Sequence, residues 1–294
     1  MRRLLSDLAA PALFWLSAGL WGIGAATALA QAQQTASAPL PAIPQLMHEV
    51  EEHQKALEKV VENYTFSAVQ TTQELDANGQ VKKTETKEQE VFFVHGREIR
   101  RLVKKDGKPL DDQDQQKETE HVTKQVEKAE KPKPEQPKDG QELNMTRILE
   151  IIDVRNPRRE NYRGRPTIVF DVMGRKDAKT HGLGEEVFKK LQGTVWIDEA
   201  DREVAHAEIS FSDNFHVAGG LVANIEKGSR FSLDQAKVNG EIWLPIGTDV
   251  TAQIRLFMVK NMRLHVTERD LDYKRFRVEA QQGKDAKVVV EKKP

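Results

Sequence analysis

The sequence predicts an α+β protein, mostly antiparallel β, built on one sheet of about ten strands. Residues 193–211 are the main evidence, because two stretches rich in β-branched, aromatic and small residues flank a polar turn at 198–201. Runs with period-two alternation recur on both sides of this hairpin, between residues 64 and 278. A sheet of that size should curl, so we expect a half-barrel with a few short helices on its concave face.

The N-terminus predicts export. Arg2 and Arg3 precede an apolar stretch at 8–29, and Ala28-Leu29-Ala30 supplies the small residues that signal peptidase requires. We therefore expect a signal peptide over 1–30, cleavage after Ala30 and a periplasmic mature protein. A retained membrane anchor is the alternative, since the apolar stretch reaches the ~20 residues that span a bilayer.

Composition excludes several classes of protein. The chain contains no Cys, which rules out disulfides, thiolate catalysis and thiolate metal ligands. A formal net charge of −1 argues against nucleic-acid binding. An exported chain without disulfides needs a hydrophobic core, and the length after residue 30 suffices for one large β domain.

The first half of that domain follows a flexible lead-in at 31–44. Apolar residues at three- and four-residue spacing predict an amphipathic helix over 45–63. Period-two runs at 64–75, 82–94 and 97–104 then predict a meander of three strands. Tight turns containing Asn78-Gly79, His95-Gly96 and Asp106-Gly107 support it, because these pairs tolerate positive φ.

A charged insertion interrupts the domain at 111–142. It has no aromatic residue and few large apolar ones, so it cannot bury enough surface to order itself. We expect a solvated helix at 115–130 and a Pro-rich tether at 131–137, both mobile. A plain solvated loop and a partner-binding arm remain alternative interpretations.

The second half continues the sheet. Short helices are expected at 145–152 and 182–192, and a hairpin at 154–173. Further strands are expected at 215–225, 228–239, 240–243, 248–259, 261–271 and 273–279. The domain therefore covers 45–280, and residues 281–294 form a charged tail that we expect to be disordered.

This order of elements resembles the LolA/LolB superfamily of periplasmic lipoprotein carriers. It is more similar still to the exported proteins named as outer-membrane lipoprotein-sorting proteins. The residues that carry the resemblance are 63–66, 193–198 and 272–276, and the pattern extends over most of 45–280. The resemblance implies a half-barrel with a helical lid and an apolar cavity that takes up acyl chains. The charged insertion departs from the compact carriers.

Two groups of residues are candidates for binding. The first consists of apolar residues that would either line an acyl-chain cavity or fill a closed core: Tyr64, Phe66, Phe92, Phe188, Leu191, Trp196, Phe211 and Trp243. The second is a basic hairpin for an anionic lipid surface or an acidic partner, or simply a charged strand edge: Arg155, Arg158, Arg159, Arg163 and Arg165. Nearby in sequence, Glu160 alone opposes these arginines. The glycines that frame 182–192 suggest a hinged lid.

Catalytic signals are weak. The eight histidines are scattered, and only His206 and His216 are expected on neighbouring strands. We expect no catalytic site, no metal and no cofactor. The leading hypothesis is a monomeric, non-enzymatic periplasmic carrier or receptor for an acylated or apolar ligand, such as a lipid or lipoprotein. A regulatory protein of the envelope-stress type on the same fold is the main alternative, and a hydrolase with an unrecognised site is the third.

Overall fold

The computed structural model describes residues 39–131, 144–279 and 287–290. The predicted signal peptide and its cleavage site, nearly all of the Pro-rich tether and most of the charged tail lie outside these ranges. What the sequence predicts for these segments, and for the domain boundaries that depend on them, stays a prediction.

The fold is an open, curled antiparallel sheet with a few helices, which confirms the predicted class. The strands are β1 (Tyr64–Leu75), β2 (Val81–Val94), β3 (Arg97–Lys105), β4 (Lys108–Pro109), β5 (Ile152–Tyr162), β6 (Arg165–Gly174), β7 (Leu191–Asp198), β8 (Val204–Phe211), β9 (Phe215–Val217), β10 (Ala223–Ile225), β11 (Arg230–Val238), β12 (Ile242–Leu256), β13 (Lys260–Glu279) and β14 (Lys287–Val290). Their order across the sheet is β4-β3-β2-β1-β13-β12-β11-β8-β7-β6-β5. Strands β9 and β10 continue the sheet beside the end of β12.

The helices are α1 (Ile43–Val61), α2 (Asp112–Glu130), α3 (Met145–Ile151) and α4 (Gly182–Glu186), with 3-10 turns at Phe188–Lys190 and Ala218–Gly220. None of the helices in the described part of the chain is long and apolar enough to cross a membrane. Pro44 lies in the first turn of α1, where its missing N–H costs no helical hydrogen bond.

Three predicted boundaries are wrong in an instructive way. The runs at 240–243 and 248–259 are one strand, β12, because a bulge at 245–246 absorbs the change of alternation. The runs at 261–271 and 273–279 are likewise one strand, β13. The run at 215–225 turns at Gly219-Gly220, both at positive φ, and forms the small hairpin β9–β10. The helix predicted over 182–192 ends early, and β7 already begins at Leu191.

Helix α2 covers one edge of the sheet. It contacts β3, which pairs with β2 on one side and, among the described residues, with just the two-residue β4 on the other. Glu118 accepts a hydrogen bond from the backbone N–H of Leu102 at 2.9 Å, and Ala129 is buried. An exposed strand edge can pair with other chains, so α2 shields this edge. The helix predicted within the insertion is therefore present, but it rests on the sheet.

Candidate functional site: the concave face of the sheet

The concave face falls into two halves, and α1 covers the first. Leu46 and Val50, in the N-terminal part of α1, are fully buried and pack against β6, β7 and β8. Leu57 and Val61, near its end, pack against β1, β2 and β12. We call this region the closed half; its sheet residues include Tyr64, Phe66, Val91, Ile168, Phe170, Ile197, Val204, Ala207, Ile242 and Leu244. This half is a filled core.

The second half lies beyond α1, toward the β12–β13 turn. Phe231 pairs with Ile209 on one side and with Val250 on the other, and Ile209 packs against the closed half, so all three face the concave side. We call this region the open half and define it by six residues: Leu191, Phe211, Phe231, Val250, Ile254 and Val266. All six are half-buried, and neither cluster under α1 contains them.

Strand β12 shows that the open half is apolar on one side only. Val250, Ala252 and Ile254 face the concave side, whereas the alternate residues are polar: Asp249, Thr251, Gln253 and Arg255. An antiparallel sheet normally covers its apolar face with other elements and leaves its polar face to water. The open half therefore presents an apolar surface suited to an apolar ligand.

A buried polar cluster bounds the concave face on the β1 and β13 side. Arg100 forms two hydrogen bonds to Glu268, at 2.7 and 2.9 Å, and also pairs with Glu98. Asp270 is only 5% exposed, and its Oδ1 has no hydrogen-bond partner among the described residues. Burial, reinforced by the neighbouring charge of Glu268, raises the pKa of Asp270 to about 8. Its carboxyl is therefore largely protonated at neutral pH.

A second buried carboxyl lies beneath α1. Glu203 is 6% exposed, and its Oε1 lies 4.0 Å from Nδ1 of His53 on α1. Burial raises the pKa of Glu203 to about 8, and the charges of Asp201 and Asp198 add to the shift. The contact between α1 and the sheet thus includes an acid that stays neutral until mildly alkaline pH.

The segment proposed as a lid is held to α3. Glu185 accepts two hydrogen bonds from the guanidinium of Arg147, at 3.0 and 2.8 Å. The Arg147 hydrogen bonds lower the pKa of Glu185 to about 2. The turn at Phe188–Lys190 lies so close to β6 that a Cβ on Gly174 would fall 2.3 Å from the carbonyl oxygen of Phe188. The segment is closed against the sheet in this structure.

The predicted apolar residues separate into three groups. Tyr64 and Phe66 lie in the closed half, where they are core. Leu191 and Phe211 lie in the open half, and Phe188 is half-buried in the turn that precedes Leu191.

The third group is a correction: Phe92, Trp196 and Trp243 lie on the convex face. Each is flanked by residues packed under α1, such as Val91 and Phe93 beside Phe92, and neighbours along a strand face opposite sides. Aromatic character alone did not distinguish the two faces.

Several aromatic residues on the convex face contact one another. The ring of His206 stacks on Tyr162 at 4.8 Å and contacts Trp196 at the same distance. The hydroxyl of Tyr162 donates to Asp234, and burial together with that hydrogen bond raises the pKa of Tyr162 to about 12. Near the end of these strands, the Arg165 guanidinium lies over the Trp243 ring at 5.3 Å. These contacts join β5, β7, β8 and β11 on the outside.

The positive charge of the basic hairpin is more fully neutralised by carboxylates than its sequence suggests. Glu160 is the acidic residue among the five arginines in sequence, but Asp153 pairs with Arg155 within β5, and the fold brings four more carboxylates from other strands and turns. The ion pairs are Arg155–Asp153, Arg158–Asp171, Arg159–Glu199, Arg163–Asp234 and Arg165–Asp198. The expectation that Glu160 alone opposes them is therefore wrong, because antiparallel pairing brings distant carboxylates alongside. Binding of an anionic surface there stays a prediction.

Neither a metal site nor a histidine pair emerges. His206 and His216 lie on strands that do not pair, since β9 pairs with β10 and β8 with β7 and β11. Across the described ranges, no three His, Asp or Glu side chains are grouped to hold a metal ion. A cleft of about 240 Å³ lies between α1 and α3. It is smaller than the roughly 300–1,000 Å³ of typical ligand pockets.

The predicted ligand-binding residues include only two of the six residues of the open half, Leu191 and Phe211. Phe231 is one of the strand aromatics that would either fill a core or line a cavity, and Val250, Ile254 and Val266 were not considered. The alternation along 249–255 is the signal that could have found them.

The similarities to known proteins lie among solved structures. No protein-family model and no curated protein matches the chain. Similar solved structures include a LolA superfamily protein from Nitrosomonas europaea, which is 10% identical with a TM-score of 0.32 and covers 80% of this chain and 93% of that one. A domain described as an outer membrane lipoprotein-sorting protein from Vibrio parahaemolyticus is also 10% identical, with a TM-score of 0.28 and coverage of 74% and 87%.

The Pseudomonas aeruginosa MucA/MucB complex also matches, at 11% identity and a TM-score of 0.24, covering 79% of this chain and 98% of that one. The matched structures thus include the superfamily that the sequence resembles. At these identities and scores, the likeness says nothing about ligand or partner.

Proposed function

We propose that the protein is a non-enzymatic periplasmic carrier or receptor that binds an acyl chain, of a lipid or a lipoprotein, on the open half of the concave face. The observation that supports this proposal is the apolar, half-buried surface formed by six residues on β7, β8, β11, β12 and β13 beside the filled closed half. The periplasmic location in this proposal rests on the predicted signal peptide.

The energetics favour a long, flexible apolar ligand. Each buried methylene contributes about 0.8 kcal/mol, so a dozen methylenes give roughly 10 kcal/mol before the entropic cost of association. Val250 and Ile254 lie on β12, each two residues from Ala252. Phe231 and Val266 flank Val250 on the neighbouring strands. A chain lying along this surface would contact several strands at once.

A fluorescent fatty acid tests the proposal. Val250→Asp places a charge on the open half, and we expect it to abolish saturable binding that the parent shows at micromolar concentration. Thr251→Asp is the matched control, because the next residue on the same strand faces the convex side between Arg230 and His265. We expect Thr251→Asp to bind like the parent.

Circular dichroism of all three proteins checks that they are folded. If the folded parent binds no acyl chain, the carrier hypothesis fails, and a regulatory or interaction protein on this fold becomes the better interpretation. Equal binding by the parent and by folded Val250→Asp would place the ligand elsewhere.

A further inference from the structure

Five large apolar side chains are exposed together at one end of the sheet. We call them the apolar tip: Leu221, Val222, Phe257, Met258 and Val259. Their exposed fractions are 64%, 43%, 45%, 64% and 85%. Single exposed apolar residues are ordinary on protein surfaces, but a contiguous group marks an interaction site.

Backbone hydrogen bonds make the apolar tip one unit. The N–H of Phe257 donates to the carbonyl of Val222 at 3.0 Å, which joins the β12–β13 turn to the β9–β10 hairpin. The N–H of Val259 donates to the carbonyl of Leu256 at 3.1 Å and closes the turn. The two apolar segments are therefore held side by side.

The β12–β13 turn has two bulky residues at backbone angles that favour small ones. Phe257 and Met258 have φ values of 47° and 59°, a region that favours Gly and Asn. Other hairpin turns of the sheet place Gly at positive φ, as at Gly79, Gly107 and Gly240, and the bulky His95 and Arg163, which take positive φ, are each followed by a Gly. Strained apolar residues at an exposed turn indicate a function for their side chains.

Two positive charges flank the apolar tip. Arg255 and Lys260 lie on either side of the turn, and both are exposed. The acidic Glu226 lies farther from the turn, beside Gln253. Phosphate headgroups attract such cations, while apolar side chains between them reach the acyl layer beneath.

We propose that the apolar tip inserts into the surface of a lipid bilayer that contains anionic headgroups. The geometry suits a bilayer because the tip projects beyond the last strand pairs of β12 and β13. The open half extends along β12 toward the same end, so insertion would bring that surface to the membrane. The proposal does not require an acyl chain in the open half, and the two can fail separately.

Vesicle flotation tests it. We expect the parent to float with vesicles of phosphatidylcholine mixed with phosphatidylglycerol and to float poorly with phosphatidylcholine alone. Replacing Phe257 and Met258 by Asn and Val259 by Ser should weaken binding about tenfold or more, because the inserted apolar area is lost while Asn fits the positive φ. Replacing Arg255 and Lys260 by Gln should remove the preference for anionic vesicles.

Matched controls come from exposed apolar residues on β6 and α4, several strands away from the apolar tip. Met173 and Leu183 are 42% and 51% exposed, and replacing both by Ser should leave flotation unchanged. In addition, Phe257→Trp should be quenched by brominated lipid more strongly than Trp196 and Trp243 of the parent. Absence of parent flotation, or equal flotation by the parent and a folded tip variant, would overturn the proposal. Equal binding to both vesicle types would overturn the assignment of anionic headgroups.

Discussion

The two halves of the concave face share strands and alternation, and they differ in what lies on them. Strand β8 runs through both: Val204 and Ala207 are buried under α1, whereas Phe211 at its far end is only half-buried. Helix α1 has 19 residues and is therefore about 28 Å long, which crosses roughly six strands spaced ~4.8 Å apart. One crossing helix covers one band of the sheet. The apolar face beyond that band is not covered by α1, and it is where we propose that the ligand binds.

The largest expected effect is in the closed half. Leu46→Asp places a charge at a fully buried position between α1 and the sheet, so we expect it to destabilise the fold by more than about 4 kcal/mol or to prevent folding. Gln45→Asp, at the exposed preceding residue, should change the free energy of unfolding by less than about 0.5 kcal/mol. Urea unfolding measures both. A folded Leu46→Asp protein of near-parental stability would show that α1 does not close this half.

The next effect is a dependence of stability on pH. Glu203 has a folded pKa of about 8 against an ordinary value of 4.5, and Asp270 one of about 8 against 3.8. The folded protein therefore holds protons that the unfolded chain releases, and this stabilisation is complete below about pH 4 and lost as the pH rises to about 8. Each group contributes a decline of up to about 1.4 kcal/mol per pH unit within that window.

Unfolding at pH 5, 6.5 and 8 tests this dependence. Glu203→Gln and Asp270→Asn should each flatten the decline, because the replacement cannot ionise. The lowered pKa of Glu185, about 2, acts only in acid and does not interfere in this window. A parent whose stability rises between pH 5 and 8, or variants with unchanged slopes, would show that these carboxyls are not buried as described.

The smallest effect is expected in the open half. Val250→Asp meets water on the concave side, so we expect it to cost only about 1–2 kcal/mol of stability while it abolishes acyl-chain binding. The contrast with Leu46→Asp is the informative quantity, since both changes put a carboxylate on an apolar surface. Val250→Asp that unfolds as completely as Leu46→Asp would mean that both halves are core.

The sequence predicted the fold better than the site, for a physical reason. Alternation and turn residues are local signals, and they located β1 and β8 at their observed ends. Which part of the concave face α1 covers is decided by contacts between distant residues, so Tyr64 and Phe66 were not separable from Phe211 in advance. The acidic partners of the basic hairpin, such as Asp234 for Arg163, were hidden for the same reason.

Native mass spectrometry of the protein purified from the periplasmic fraction, combined with lipid extraction, tests directly whether the protein carries an acyl ligand. We expect a bound species whose mass exceeds that of the polypeptide by an acyl lipid or acylated peptide, recovered in the extract and absent from Val250→Asp but present in Thr251→Asp. A parent that shows only the polypeptide mass under conditions that preserve noncovalent complexes, with no acyl compound in the extract, would contradict it.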